Sequence, residues 1–127
     1  MKRFIPFCLL SLCAIGAFFS IKDAKATYTP YNMNNEIFIT SYSNNTDHKK
    51  IIYAGTRPTE GKGGVIISIR KANGDVMAEK LFSYYADVPM MYHHIGSGQV
   101  RNIYVRPNLY GQTCKGNVNH YMQDSVN

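Results

Sequence analysis

Apolar and polar positions alternate with a period of two along much of this chain, most clearly from Gly63 to Phe82. Val65, Ile67 and Ile69, followed after an Asn73-Gly74 pair by Val76, Ala78 and Phe82, form one face; Ser68, Arg70 and Glu79 form the other. An Asn-Gly pair between two such arms is the strongest short-range hairpin signal, because a two-residue type I′ turn needs positive φ at both central positions. With Asn73 and Gly74 as the loop, Val65 falls opposite Phe82, Ile67 opposite Lys80 and Ile69 opposite Ala78. A helix competes for the second arm: Asp75 can cap Val76 to Asp87, with Met77, Leu81, Tyr84, Tyr85 and Val88 near one side. The turn and the aromatic tail favour the strand.

The same two-residue period predicts further strands. Glu36 to Ser43 and His48 to Gly55 are rich in β-branched and aromatic residues and flank the turn cluster Asn44-Asn45-Thr46-Asp47, which reads as a hairpin. Pro89 to Ile95 and Val100 to Pro107 bracket Gly96-Ser97-Gly98-Gln99 as a further hairpin, and Asn117 to Met122 reads as a last short strand. Thr27 to Asn35 reads as a polar lead-in, Thr56 to Gly64 as a mobile polar loop, and Asn108 to Gly116 as a Gly-interrupted connection. The expectation is all-β: a small antiparallel β-sandwich of six to seven strands, immunoglobulin-like in size, without the Cys…Trp…Cys signature of true immunoglobulin domains because the chain has no Trp.

The first 26 residues change that picture. Lys2 and Arg3 precede an apolar run from Phe4 to Ile21, and Ala24-Lys25-Ala26 is a small-x-small cleavage site, the pattern of a secretory signal peptide. An uncleaved leader would be the one membrane contact expected. The domain is then 27–127, exported to the periplasm or secreted, with room for a single modest core. Of the formal +6, the leader holds +3 (Lys2, Arg3, Lys22 and Lys25 against Asp23), leaving a mild +3 and no specific nucleic-acid signal. Cys8 and Cys13 lie in the leader, so Cys114 is left without an internal disulfide partner; it is either a buried thiol or a link to a second copy in a dimer.

Three chemistries compete. The ten tyrosines all lie after the leader, and tyrosine combines apolar area with a polar tip. This favours a non-catalytic binding or interaction module that recognises a protein or glycan partner, with Tyr84, Tyr92 and Tyr104 as aromatic contacts and Arg101 and Arg106 as anion contacts; no cofactor is implied. A first alternative is a periplasmic copper or zinc protein using Met91, His93, His120 and Cys114, although the Cys114 to His120 spacing matches no standard ligand motif. A second is a small secreted hydrolase or ribonuclease using His94 and His120 as acid and base, with His93 in reserve.

Overall fold

The computed structural model describes residues 26–125. The leader, apart from Ala26, lies outside the described residues. Among the described residues eight strands form: β1 (Thr27–Met33), β2 (Ile37–Ser43), β3 (Lys50–Thr56), β4 (Val65–Arg70), β5 (Val76–Phe82), β6 (Met91–Ile95), β7 (Val100–Pro107) and β8 (Cys114–Asp124). They make two antiparallel four-stranded sheets, sheet A in the order β1-β8-β3-β6 and sheet B in the order β2-β7-β4-β5. The all-β sandwich is as expected, and the second arm of the Asn-Gly hairpin is strand rather than helix.

The eighth strand is β1, read from sequence as a lead-in. Its composition hides it: Pro30 lacks a backbone donor, which is tolerated because β1 is an edge strand paired only with β8. The Asn73-Gly74 register is as expected, with Val65 opposite Phe82, Ile67 opposite Lys80 and Ile69 opposite Ala78. The turn itself differs. Lys71 N donates to Asp75 O at 2.9 Å and Gly74 N to Lys71 O at 2.9 Å, and Gly74 has φ +97° while Asn73 does not have positive φ. This is a three-residue loop closed by a glycine in the left-handed region, with the pairing shifted by one at Arg70.

The other two expected hairpins do not form. β2 and β3 lie in different sheets, as do β6 and β7. Their turn clusters pair with each other instead: Asn44 N donates to Gln99 O at 2.9 Å and Gly98 N to Asn44 O at 2.7 Å. The Asn44 side chain, fully buried, donates to His48 O and Ile95 O and closes the junction. β1 therefore pairs with β8, β2 with β7, β3 with β6 and β4 with β5. Val65 and Phe82 stand eight residues either side of the Asn73-Gly74 pair, and Met33 and Cys114 stand forty. The chain is one long antiparallel ribbon with the Asn-Gly turn at its tip, rolled so that β8 meets β3 and β7 meets β4. That is a jelly roll, not an immunoglobulin arrangement.

The core lies between the sheets. Ile52, Ile95 and Val118 from sheet A meet Val65, Ile67, Ile69, Phe82, Ile103 and Val105 from sheet B, all fully buried. The loop read as mobile, Thr56 to Gly64, is pinned: Pro58 and Gly61 are buried, Lys115 N donates to Glu60 O at 3.1 Å, and Thr59 N to Lys115 O at 2.8 Å.

Candidate functional site

On β4 the core residues Val65, Ile67 and Ile69 alternate with Ile66, Ser68 and Arg70, so the latter three face outward from sheet B. Register then assembles a row across all four strands, Phe38 on β2, Tyr104 on β7, Ser68 on β4 and Glu79 on β5. Arg106 stands opposite Ile66, one row away. These side chains close on one another. Ser68 Oγ donates to Glu79 Oε2 at 2.5 Å, and Arg106 Nη1 donates to the same oxygen at 2.7 Å and to Ser68 Oγ at 3.2 Å. Arg70 holds Glu36 with both terminal nitrogens, Nη1 to Oε1 at 3.1 Å and Nη2 to Oε2, in the fork geometry that guanidinium and carboxylate share. Its guanidinium carbon lies 4.5 Å from the centre of the Tyr104 ring, and Phe38 meets that ring edge-on at 5.6 Å.

Electrostatics follow the geometry. The Arg106 guanidinium, and after it the Ser68 hydroxyl, holds the Glu79 carboxyl below the usual carboxylate range. Glu79 in turn raises Arg106. Glu36 lies 4.0 Å from Arg106, so opposite charges alternate across the face. Beside this network Asn34, Asn35, Glu36, Arg106, Pro107 and Tyr110 surround an open depression of about 130 Å³. Tyr110 is fully exposed at the tip of a turn that is itself fixed, with Gln112 N donating to Leu109 O at 3.2 Å and Asn108 N to Gly64 O at 3.0 Å.

The outer face of sheet A is built differently. Tyr121, Tyr53 and Tyr92 form a row across β8, β3 and β6. Tyr53 stacks on Tyr121 at 4.9 Å and lies 6.3 Å from Tyr92. A second depression of about 160 Å³, near Gly55, Arg57, Asp87 and Asn119, opens one row away.

The five residues expected to form a binding surface do not converge. Tyr104 and Arg106 share the sheet B face, Tyr92 is on sheet A, and Tyr84 lies between β5 and β6 against Tyr85 at 5.1 Å. Arg101 points inward. It is buried opposite Tyr42, donating through Nε to His93 Nε2 at 3.1 Å, through Nη1 to Val100 O at 2.8 Å and through Nη2 to Gln99 Oε1 at 3.2 Å. It is a structural residue that fixes the β6–β7 arch, not an anion contact.

The histidine sites separate too. His94 and His120 lie on opposite faces of sheet A, so the acid–base pair is not formed: His94 meets Tyr92 edge-on at 6.2 Å, while His120 is buried. His120 shares a 2.6 Å hydrogen bond with Tyr42 across the core and a 2.9 Å bond with Thr29. Burial pushes His120 below the usual imidazole value and Tyr42 up to about 12. For the metal set, Cys114 and His120 lie six residues apart on one extended strand, about 20 Å. Met91 and His120 flank Ala54 from the strands either side of β3, about 10 Å apart. Ligands of one ion must all lie within about 2.5 Å of it. Among the described residues no three His, Cys, Asp or Glu side chains gather where they could hold a metal. Cys114 is fully buried beneath Gly61, where a Cβ would stand 2.4 Å from its sulfur, and burial raises its thiol pKa. While that loop stays in place the sulfur is closed to a second chain.

Glu36, Phe38, Asn34, Asn35 and Tyr110 carry no functional signal in the sequence, where Ser68, Arg70 and Glu79 are only the polar side of a ribbon. One signal was present: Arg70 and Glu79 are opposite charges on one face of the best-defined hairpin.

No protein-family model matches the chain, and no curated protein matches it. Among solved structures it is similar to a protein of Bacillus endospore appendages, described as forming a novel family of disulfide-linked pili. The two share 11% identity with a TM-score of 0.51, over 94% of this chain and 99% of that one. This likeness is one of fold.

Proposed function

We propose that this chain is a small exported, non-catalytic interaction module that recognises a protein or glycan partner with the outer face of sheet B. The observation that carries the reading is the closed network of Glu36, Arg70, Tyr104, Arg106, Glu79 and Ser68. It presents charges and rings at the surface in fixed positions, so less side-chain ordering is lost when a partner docks. The leader-like first 26 residues support export to the periplasm or beyond. The appendage protein of similar fold is described as forming pili, which agrees with an exported setting for this chain.

The test is capture by the immobilised protein of polysaccharide and protein from a cell-envelope fraction, with Arg106→Ala, Tyr104→Ala and Tyr121→Ala compared. The two sheet B variants are expected to weaken capture about tenfold each, the loss of one charged hydrogen bond or one buried ring. Tyr121→Ala is expected to leave it unchanged. Equal capture by all three variants contradicts the reading.

A further inference from the structure

The depression beside the sheet B network carries a narrower conclusion, which rests on the binding-module reading above. Its two charged walls are of opposite sign, Glu36 and Arg106. Both already have partners: Arg70 holds both oxygens of Glu36, and Glu79 holds Arg106. An anion placed here would meet the Glu36 carboxylate, and a cation would meet the Arg106 guanidinium. The balance favours a neutral ligand.

The remaining walls say what kind. Asn35 Nδ2 donates to Asn34 Oδ1 at 3.2 Å, which leaves the Asn34 amide N–H groups and the Asn35 carbonyl oxygen for a hydroxyl, which both gives and takes a hydrogen bond. Tyr110 adds a flat aromatic ring and Pro107 an apolar pyrrolidine, with Tyr110 fully exposed and held out by its pinned turn. A sugar ring has these two characters at once, hydroxyls around its edge and C–H groups on its faces. The depression, about 130 Å³ and open, is well below the roughly 300 Å³ at which enclosed small-molecule pockets begin. It has space for one ring of a longer chain.

We infer that Asn34, Asn35, Glu36, Arg106, Pro107 and Tyr110 form a subsite for one neutral sugar residue of a glycan. Glu36 and Arg106 bridge neighbouring hydroxyls, the two amides take a third, and Tyr110 stacks on the ring's C–H face. The rest of the glycan leaves over Phe38 and Tyr104, which sit together on the same sheet face.

The experiment is calorimetric titration of the purified protein with neutral oligosaccharides (cello-, malto- and chito-oligomers) and with acidic oligogalacturonate as the charged control. The prediction is that a neutral oligomer binds, that oligogalacturonate binds at least tenfold more weakly, and that Tyr110→Ala and Asn35→Ala each weaken the neutral ligand about tenfold. Both side chains are exposed, so the melting temperature should stay at the wild-type value, and Tyr121→Ala on the opposite sheet should bind normally. Preference for the acidic oligomer overturns the inference, and so does neutral-sugar binding that survives Tyr110→Ala and Asn35→Ala. If no neutral oligomer binds while Arg106-dependent capture of a protein partner persists, the sugar subsite falls and the module reading stands. If Arg106-dependent capture is lost as well, both fall.

Discussion

The two outer faces of this sandwich start from the same strand geometry and end with different properties. On sheet A, Tyr53, Tyr92 and Tyr121 occupy neighbouring positions and spend their rings on one another. In the next row of the same face Ile51 is buried although it belongs to the outward-facing set of β3. On sheet B, carboxylates and guanidiniums from four segments alternate in sign, and Tyr104 is held between Arg70 and Phe38. Both faces border an open depression; on the first the rings pack on one another, and on the second fixed charges of both signs stand beside it. Ten tyrosines suggest a recognition surface, but abundance does not say which tyrosines recognise anything. Register does, because it decides whether a ring faces another ring or a charge.

If the two faces rest on one core, a large break between them must disable both together. Phe82 is fully buried between the sheets, and Phe82→Ala should cost about 3–5 kcal/mol in urea unfolding. Tyr fluorescence, to which Tyr28, Tyr31, Tyr53, Tyr92 and Tyr121 of sheet A contribute, and ligand capture, from sheet B, should be lost at the same urea concentration. Separate transitions would split the faces into independent units.

A smaller effect tests what the tyrosine row is for. Tyr121→Ala removes the ring stacked on Tyr53 and should lower stability by about 1 kcal/mol in the same assay, with capture intact. A loss of capture larger than the loss of stability would move recognition to sheet A.

The smallest expected effect is a slope with pH, set in the layer between the faces. His93 is held below the usual imidazole value by burial and then by the Arg101 and His94 charges, and His120 by burial. As pH falls below about 6.5 the unfolded chain takes up protons that these two folded histidines refuse, so stability declines until the folded values are passed. His48 has the opposite sign: Asp124 and Asp47 raise its pKa, so its contribution is present in acid and fades as pH rises through the folded value. It lies at the surface, and solvent screens it. The net expectation is a lower urea midpoint at pH 5 than at pH 7.5, flattened in the His93→Gln/His120→Gln double variant. A midpoint that rises on acidification would contradict the buried state of the pair.

Local features of this fold were legible in the sequence because their causes are local. Alternation from Val65 to Arg70 and from Val76 to Phe82, with an Asn-Gly pair between, set one register that the structure reproduces. The strands around Asn44 and Gly98 were legible as strands, but their turns were assigned to the wrong partners. A turn signal says that the chain bends, not which sheet it bends into; here Asn44 and Gly98 bond to each other across fifty-odd residues. β1 stayed hidden because Pro30 and its polar neighbours suit an edge strand that only β8 can stabilise. In the candidate site, Tyr104 and Arg106 could be named by type. Glu36 and Arg70 are joined by pairing on either side of β7, and no spacing in the sequence announces that.

The central claim is that the sheet B face, with its Asn34–Tyr110 depression, meets the partner. The most direct measurement is backbone amide NMR of the labelled protein as the captured partner, or the best-binding neutral oligosaccharide, is titrated in. Shifts confined to Asn34–Phe38, Ser68–Arg70 and Tyr104–Tyr110 are the predicted result. Shifts centred on Tyr53, Tyr92 and Tyr121, with the sheet B amides unmoved, would contradict it.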